Sequence, residues 1–207
     1  MIAIIDYGVG NLFSLSASLA HQGIPYTITR KPEEIEQADA LILPGVGAFG
    51  DAAKRLQDSG LDQVIHKQTQ KGKPLLGICL GMQLLFEKSY EYGEHKGLGL
   101  LPGVVCPLRP DLPREDALVP HMGWNRLHIV KDDPILAPLP ENRHMYFVHS
   151  FYAKQCQEVL LADAEYESIR VPAIVGRGRV YGMQFHPEKS GAAGLQLLTN
   201  FARLLSR

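Results

Sequence analysis

The sequence predicts an α/β fold of three layers, a mixed and mostly parallel sheet with helices on both faces. Short apolar runs of strand length, at 2–5, 40–43 and 75–78, with a further strand at 26–29, alternate with segments whose apolar residues recur at helical spacing. Glycine-rich turns follow several of these runs, at 8–10, 45–50 and 77–81. At 207 residues and 45% hydrophobic content, the chain is large enough for one domain with a sizeable core, and 1–207 is expected to form a single domain.

Composition excludes several classes. A net charge of −1 gives no bulk attraction to nucleic acid or a membrane surface. Cys79, Cys106 and Cys156 are too widely spaced for a disulfide framework or a zinc site, which favours a reducing, cytoplasmic setting with no metal. The N-terminus is apolar but reaches Asp6 and Gly8 at once and has no basic flank, so it reads as a first strand and not a signal peptide. No apolar run approaches the ~18 residues of a membrane span.

Taken in order, strand 2–5 ends at Asp6-Tyr7-Gly8-Val9-Gly10-Asn11, where Asn11 can cap a helix carrying Leu12, Leu15 and Leu19 on one face. Gly8-x-Gly10 after a strand suggests a dinucleotide loop, but the third glycine and the acidic residue for a ribose are missing, so no cofactor is expected. The third strand runs into Pro44-Gly45-Val46-Gly47-Ala48-Phe49-Gly50, a loop at the carboxyl edge of the sheet, where open α/β sheets bind ligands. Residues 51–71 read as one helix with Ala52, Leu56, Val64 and Ile65 inward, and 89–99 as a polar loop. Segments 100–108 and 127–130 are shorter strands, expected to add antiparallel pairing beyond the parallel core. Between them, Pro120–Asn125 reads as a connection in which Trp124 belongs to the core and His121 to the surface. Residues 146–152, 159–164, 173–175 and 180–185 continue the strand pattern, and Leu195, Leu198, Phe201, Ala202 and Leu205 lie at the spacing of a final helix.

Chemistry concentrates at two places. Gly77-Ile78-Cys79-Leu80-Gly81 is the thiol counterpart of the G-x-S-x-G nucleophile elbow, between the run 75–78 and the helical spacing of Met82, Leu85 and Phe86. Such a turn exposes its central side chain above the sheet and leaves the Leu80 amide free for a developing oxyanion. The helix dipole favours the thiolate of a cysteine placed there. A buried structural cysteine is the competing reading. At the end of the last strand, His186-Pro187-Glu188 sets a carboxylate two residues from an imidazole across a proline, an arrangement that orients the ring. A cysteine nucleophile needs such an imidazole to take its proton and return it to the leaving group. His149 is a rival for that base.

The block 77–83, with Gln83 four positions after Cys79, together with Phe185-His186-Pro187-Glu188, resembles the class I (triad) glutamine amidotransferases. The motifs at 6–11, 44–47, 120–125 and 146–150, and Glu188-Lys189-Ser190, are similar to one branch of that family, the glutaminase subunits of imidazole glycerol phosphate synthases. Only 88–119 and 155–171 lack motif support. The resemblance implies a flavodoxin-like core and glutamine hydrolysis through a γ-glutamyl thioester. The ammonia would pass to a separate (β/α)8 cyclase subunit that makes imidazole glycerol phosphate and aminoimidazole carboxamide ribotide in histidine biosynthesis. It further implies Cys79, His186 and Glu188 as the triad, and Leu80 with Gly45, Val46 and Gly47 as the oxyanion hole. Gly47, Gln83, Ser150 and Phe151 would hold glutamine; Asn11, His121, Trp124, Tyr146 and Lys189 would face the cyclase. The glycine content of 44–47 allows a peptide flip that would complete the oxyanion hole only when the partner's ligand binds. Other readings of the same residues are a glutaminase for another pathway, a cysteine peptidase, or a subunit that only binds a partner.

Overall fold

The structure is a computed structural model that describes residues 1–206. The first half alternates strand and helix: β1 (Ile2–Ile5), α1 (Leu12–His21), β2 (Tyr26–Thr29), α2 (Pro32–Gln37), β3 (Ala40–Leu43), α3 (Phe49–Asp58), α4 (Leu61–Gln70), β4 (Leu75–Ile78) and α5 (Leu80–Leu84). Strands dominate thereafter: β5 (Lys88–Ser89), β6 (His95–Lys96), β7 (Val104–Pro107), β8 (His121–Ile129), β9 (His144–His149), β10 (Phe151–Lys154), β11 (Leu160–Tyr166), β12 (Ile169–Arg177) and β13 (Val180–Met183). The helix α6 (Gly191–Arg203) follows.

A nine-stranded sheet has the order β2-β1-β3-β4-β13-β12-β11-β8-β9. From β2 to β13 the pairings are parallel, in the flavodoxin-like order, and from β13 to β9 they are antiparallel. A second sheet, β10-β7-β5-β6, lies apart. Alternation along β1 explains the three layers. Ile2 and Ile4 join Leu15, Leu19, Leu197 and Phe201, so α1 and α6 cover one face. Ala3 and Ile5 join Ile35, Phe49, Leu56, Ile65 and Leu84, so α2 to α5 cover the other. The central strands β1, β3 and β4 are buried throughout, as parallel strands sealed on both faces must be. Among the described residues no helix is long and apolar enough to cross a membrane.

The structure corrects the sequence reading in several places. Residues 51–71 form two helices, because Ser59 hydroxyl bonds back to the carbonyls of Arg55 and Leu56 while Gly60 turns left-handed at φ +70°. The short helix α2, entered through Pro32 and two glutamates, escapes the periodicity. The loop 89–99 contains β6 and the end of β5, and the elbow helix stops at Leu84, short of Leu85 and Phe86. Residues 121–125 lie within β8, and 146–152 divide at Ser150 between two strands of different sheets. The last strand ends at Met183, leaving Gln184 and Phe185 beyond it.

Candidate active site

Cys79 leaves β4 with φ +55° and ψ −113°, a conformation that costs a side-chain-bearing residue about 1–3 kcal/mol. Its backbone N–H donates to Met183 O at 2.7 Å, and its carbonyl accepts from Gln83 N at 3.2 Å. Close backbone approach enforces the turn. A Cβ on Gly81 would meet Leu43 O at 1.8 Å, and one on Gly77 would meet Gly81 O at 2.5 Å. A Cβ on Gly45 would lie 2.7 Å from Gly81 N, so the 44–47 loop sits against the first turn of α5. Tyr7, buried beneath, donates to Pro44 O at 2.8 Å and steadies that loop.

His186 is delivered by the segment after β13. Its N–H donates to Tyr146 O at 3.0 Å, and Ser190 Oγ binds both His186 O, at 2.6 Å, and Tyr146 N, at 3.0 Å. Pro187 opens a 3-10 turn, Pro187–Lys189, that folds Glu188 back so that its Oε1 meets His186 Nδ1 at 2.9 Å. Glu188 Oε2 is buried without a hydrogen-bond partner among the described residues, so the carboxylate is directed at the imidazole. With Nδ1 held, Nε2 is the nitrogen free to meet Cys79. Burial alone would lower the His186 pKa, but hydrogen bonds with Cys79 and Glu188 outweigh it and raise it to about 9. The arrangement suits a thiol that gives up its proton to a ring able to return it, the requirement of acyl transfer.

A pH dependence follows. The folded value of about 9 lies above the ordinary 6.5, so the charged ring's contribution to stability is complete below about pH 6.5 and lost as pH rises through about 9. The melting temperature of wild type over Glu188→Gln should show its largest advantage below about pH 6.5, narrowing toward pH 9. A difference independent of pH would contradict this.

His149, the rival base, is unsuited. Its Nδ1 meets Phe151 O at 2.9 Å and its Nε2 meets His121 Nδ1 at 2.9 Å, so neither nitrogen is left for Cys79. Burial, with the neighbouring His121, lowers its pKa to about 3 and keeps it neutral. His121 is fully buried and not at the surface, stacked between Phe147 and Tyr166, with Nε2 on Asn125 Oδ1 at 2.8 Å. Trp124 is 56% exposed and not in the core. The strand explains both: alternate residues of β8 face opposite ways, His121 toward the buried side and Trp124 toward the exposed one.

A cavity of about 370 Å³ opens over the thiol, lined by Cys79, Leu80, Gln83, Val46 and Gly47 on one side and by Ser150, Phe151, His149 and His186 on the other. It brings together the residues named for the triad, the oxyanion hole and glutamine, except Gly45 and Glu188, which line a small adjoining cavity with Pro44 and His186. Of the residues named for the partner, Trp124 and Tyr146 are cross-strand neighbours with rings 5.9 Å apart, and Lys189 Nζ lies 6.0 Å over the Tyr146 ring. Asn11 sits at the start of α1, where its side chain accepts from Ser14 N. His121 stands apart from them, behind the strand.

Three lining or adjoining residues escape the sequence reading. Glu91 is buried, with Oε2 accepting from Phe49 N at 2.7 Å, and burial raises its pKa. Tyr92 packs its ring edge-on against Phe151 at 5.9 Å. Gln184 is fully buried beside Cys79. Glu91 and Tyr92 sit in a polar, glycine-bearing stretch without periodicity, and nothing local marks them. Gln184 adjoins the His186 motif and so carried a signal.

The class-I glutamine amidotransferase family profile matches residues 3–204. A crystal structure of a glutamine amidotransferase superposes with a TM-score of 0.76 at 23% identity, covering 100% of this chain and 99% of that one. PurLQS from Thermotoga maritima superposes with a TM-score of 0.76 at 20% identity, covering 99% and 98%. The chain belongs to the class-I glutamine amidotransferases. The imidazole glycerol phosphate synthase subunit HisH of Bacillus velezensis is 53% identical over 206 residues, 99% of this chain and 96% of the relative. Those of Bacillus subtilis strain 168 and Geobacillus kaustophilus are 52% and 53% identical, over 99% and 97% of this chain and 96% and 95% of each relative. Within the class, the chain belongs to the HisH family of imidazole glycerol phosphate synthase subunits.

Proposed function

We propose that this chain hydrolyses glutamine at Cys79 and supplies the ammonia to a (β/α)8 cyclase subunit, the glutaminase half-reaction of imidazole glycerol phosphate synthesis. The observation that carries the reading is that Cys79 and His186 line one cavity together, with Glu188 behind the ring on His186 Nδ1. His186 takes the thiol proton and Sγ attacks the carboxamide carbon. The oxyanion is met by the Leu80 N–H and the 45–47 loop, and collapse to a γ-glutamyl thioester expels ammonia after His186 returns the proton. Water, deprotonated by His186, then cleaves the thioester to glutamate.

Donor and acceptor chemistry supports glutamine as the ligand. Gln83 Nε2 donates to both Phe151 O and Gln184 Oε1, at 3.0 Å each, which leaves Gln83 Oε1 to meet the ligand as an acceptor. With the free oxygen of Glu91 across the cavity, it suits the α-ammonium of an amino acid. Ser150 and Phe151, at the break between β9 and β10, would hold the α-carboxylate end. Gly47 adopts φ +91° with no atom within 4 Å of where a Cβ would stand, which supports a loop able to turn a peptide into the oxyanion position.

Asn11, Trp124, Tyr146 and Lys189 are proposed to face the cyclase, with the exposed Met122 and Phe13 extending the apolar area. Tyr146 O holds His186 N, so contact at this edge reaches the triad through one hydrogen bond. Trp124→Ala is expected to weaken binding of the cyclase subunit about tenfold or more while the melting temperature stays within a degree or two, as for a large exposed aromatic anchor. Unchanged affinity in a titration would remove Trp124 from the interface.

The decisive assay is glutamate release by the chain alone and with the cyclase subunit and its ligand. Activity that appears in the complex supports the reading. Equal activity without the partner would indicate an independent amidase, and none in either mixture a subunit that only binds.

A further inference from the structure

Gln184 is 0% exposed, and the reaction as described gives it no part. Its side chain is nevertheless fixed by a sequence of hydrogen bonds whose polarity can be deduced. Phe151 O can only accept. It takes the Nδ1–H of His149 at 2.9 Å and the Nε2–H of Gln83 at 3.0 Å. That bond orients the Gln83 amide, and the second hydrogen on the same nitrogen points to Gln184 at 3.0 Å, where the atom must be an oxygen. Gln184 Oε1 therefore faces Gln83, and Gln184 Nε2 faces Cys79 Sγ at 3.9 Å. The reverse orientation would set two N–H groups against each other at Gln83 and a carbonyl oxygen against the sulfur, both in a buried place where unmade bonds are costly.

We propose that Gln184 is a positioning residue for the nucleophile: its amide N–H, aimed by the relay Phe151 C=O to Gln83 to Gln184, stabilises the thiolate of Cys79. The inference rests on the reading of Cys79 as nucleophile and deepens it. A charged sulfur is a stronger acceptor than a thiol and draws such a bond shorter, so the N–H favours the anion over the neutral group. Gln83 thereby has two duties, one toward the ligand through its oxygen and one toward the thiol through its nitrogen. The titratable groups facing the sulfur are His186, backed by Glu188, and Tyr7, whose buried phenol is pushed up by burial and by the sulfur's charge and so stays neutral. The test leaves all three in place.

The test is the pH profile of iodoacetamide alkylation at Cys79, followed by peptide mass in the full chain without glutamine, for wild type, Gln184→Met and Gln83→Met. Both substitutions should move the alkylation midpoint up, by about one pH unit for Gln184→Met, the scale of one hydrogen bond to a charged group, and by less for Gln83→Met. A Gln83 that serves only the ligand leaves the free-chain profile in place. An unmoved midpoint in Gln184→Met with a wild-type melting curve overturns the proposal. Should that variant not fold, an unmoved midpoint in Gln83→Met does so. Glutamate release by wild type, measured alongside, reports separately on the glutaminase reading, so each can fail alone.

Discussion

Cys79→Ala is expected to lower glutamate release about 10⁴- to 10⁶-fold in the presence of the cyclase subunit and its ligand, the scale on which loss of a triad nucleophile acts. The fall should appear in kcat and leave glutamine binding largely in place, since the proposed ligand contacts at Gln83, Glu91, Ser150 and Phe151 remain around the cavity. The melting temperature should not fall with it. Cys79 carries φ +55° as a side-chain-bearing residue, and alanine, the smaller group, adds no new contact there. Removing Sγ also takes from His186 one of the two partners that raise its pKa, so its value should drop toward the ordinary 6.5, visible in an NMR titration of the ring. A variant that retained even a hundredth of the wild-type rate would mean that another group attacks the carboxamide, and the triad assignment would fall.

Gly81→Ala should have the largest effect on the fold of any single methyl group. Its Cβ would lie 1.8 Å from Leu43 O and 3.2 Å from Pro44 C, both backbone atoms of the strand end and loop that α5 packs against. Neither can swing aside as a flexible side chain would, so β3 and the 44–47 loop must separate from the elbow. Overpacking of buried groups typically costs 1–3 kcal/mol, and a backbone clash this close belongs at about 3 kcal/mol or more. For a chain of this size that is roughly 6–12 °C in melting temperature. Gly23→Ala is the control. That residue also has positive φ, +66°, but no atom lies within 4 Å of its Cβ, so only backbone strain acts and a loss of about 1 kcal/mol is expected. Equal losses at the two positions would show that strain and not close approach governs Gly81. Glutamate release should vanish in Gly81→Ala even below its melting point, because displacement of the loop takes the proposed oxyanion donors with it.

The two variants mark what was legible before the fold was known. Gly77, Cys79 and Gly81 are adjacent in the chain, and a strand-to-helix turn makes demands within five residues, so sequence suffices to find the elbow. His186 and Glu188 are likewise local, since Pro187 fixes the bend between them. Strands β1, β3 and β4 stand where the apolar runs placed them because strands buried on both faces have no polar residue to interrupt the run. Errors came where one pattern spans a break. The helical period continues through Ser59 and Gly60, and the β-branched and aromatic run 146–152 continues through Ser150, although the chain changes sheet there.

The sequence by itself determined the α/β class, the thiol at an elbow and the imidazole–carboxylate pair, because each follows from residues near one another in the chain and from periods set by backbone geometry. Tertiary structure alone decided which histidine meets the thiol, since His149 ends β9, His186 follows β13, and only packing spends both nitrogens of one. It also decided that His121 is enclosed while Trp124 stands out, that Glu91 reaches the cavity from an unpatterned loop, and which way the Gln184 amide points. Those outcomes depend on hydrogen bonds between groups tens of residues apart, where the direction of each donor is set by the acceptor it happens to meet.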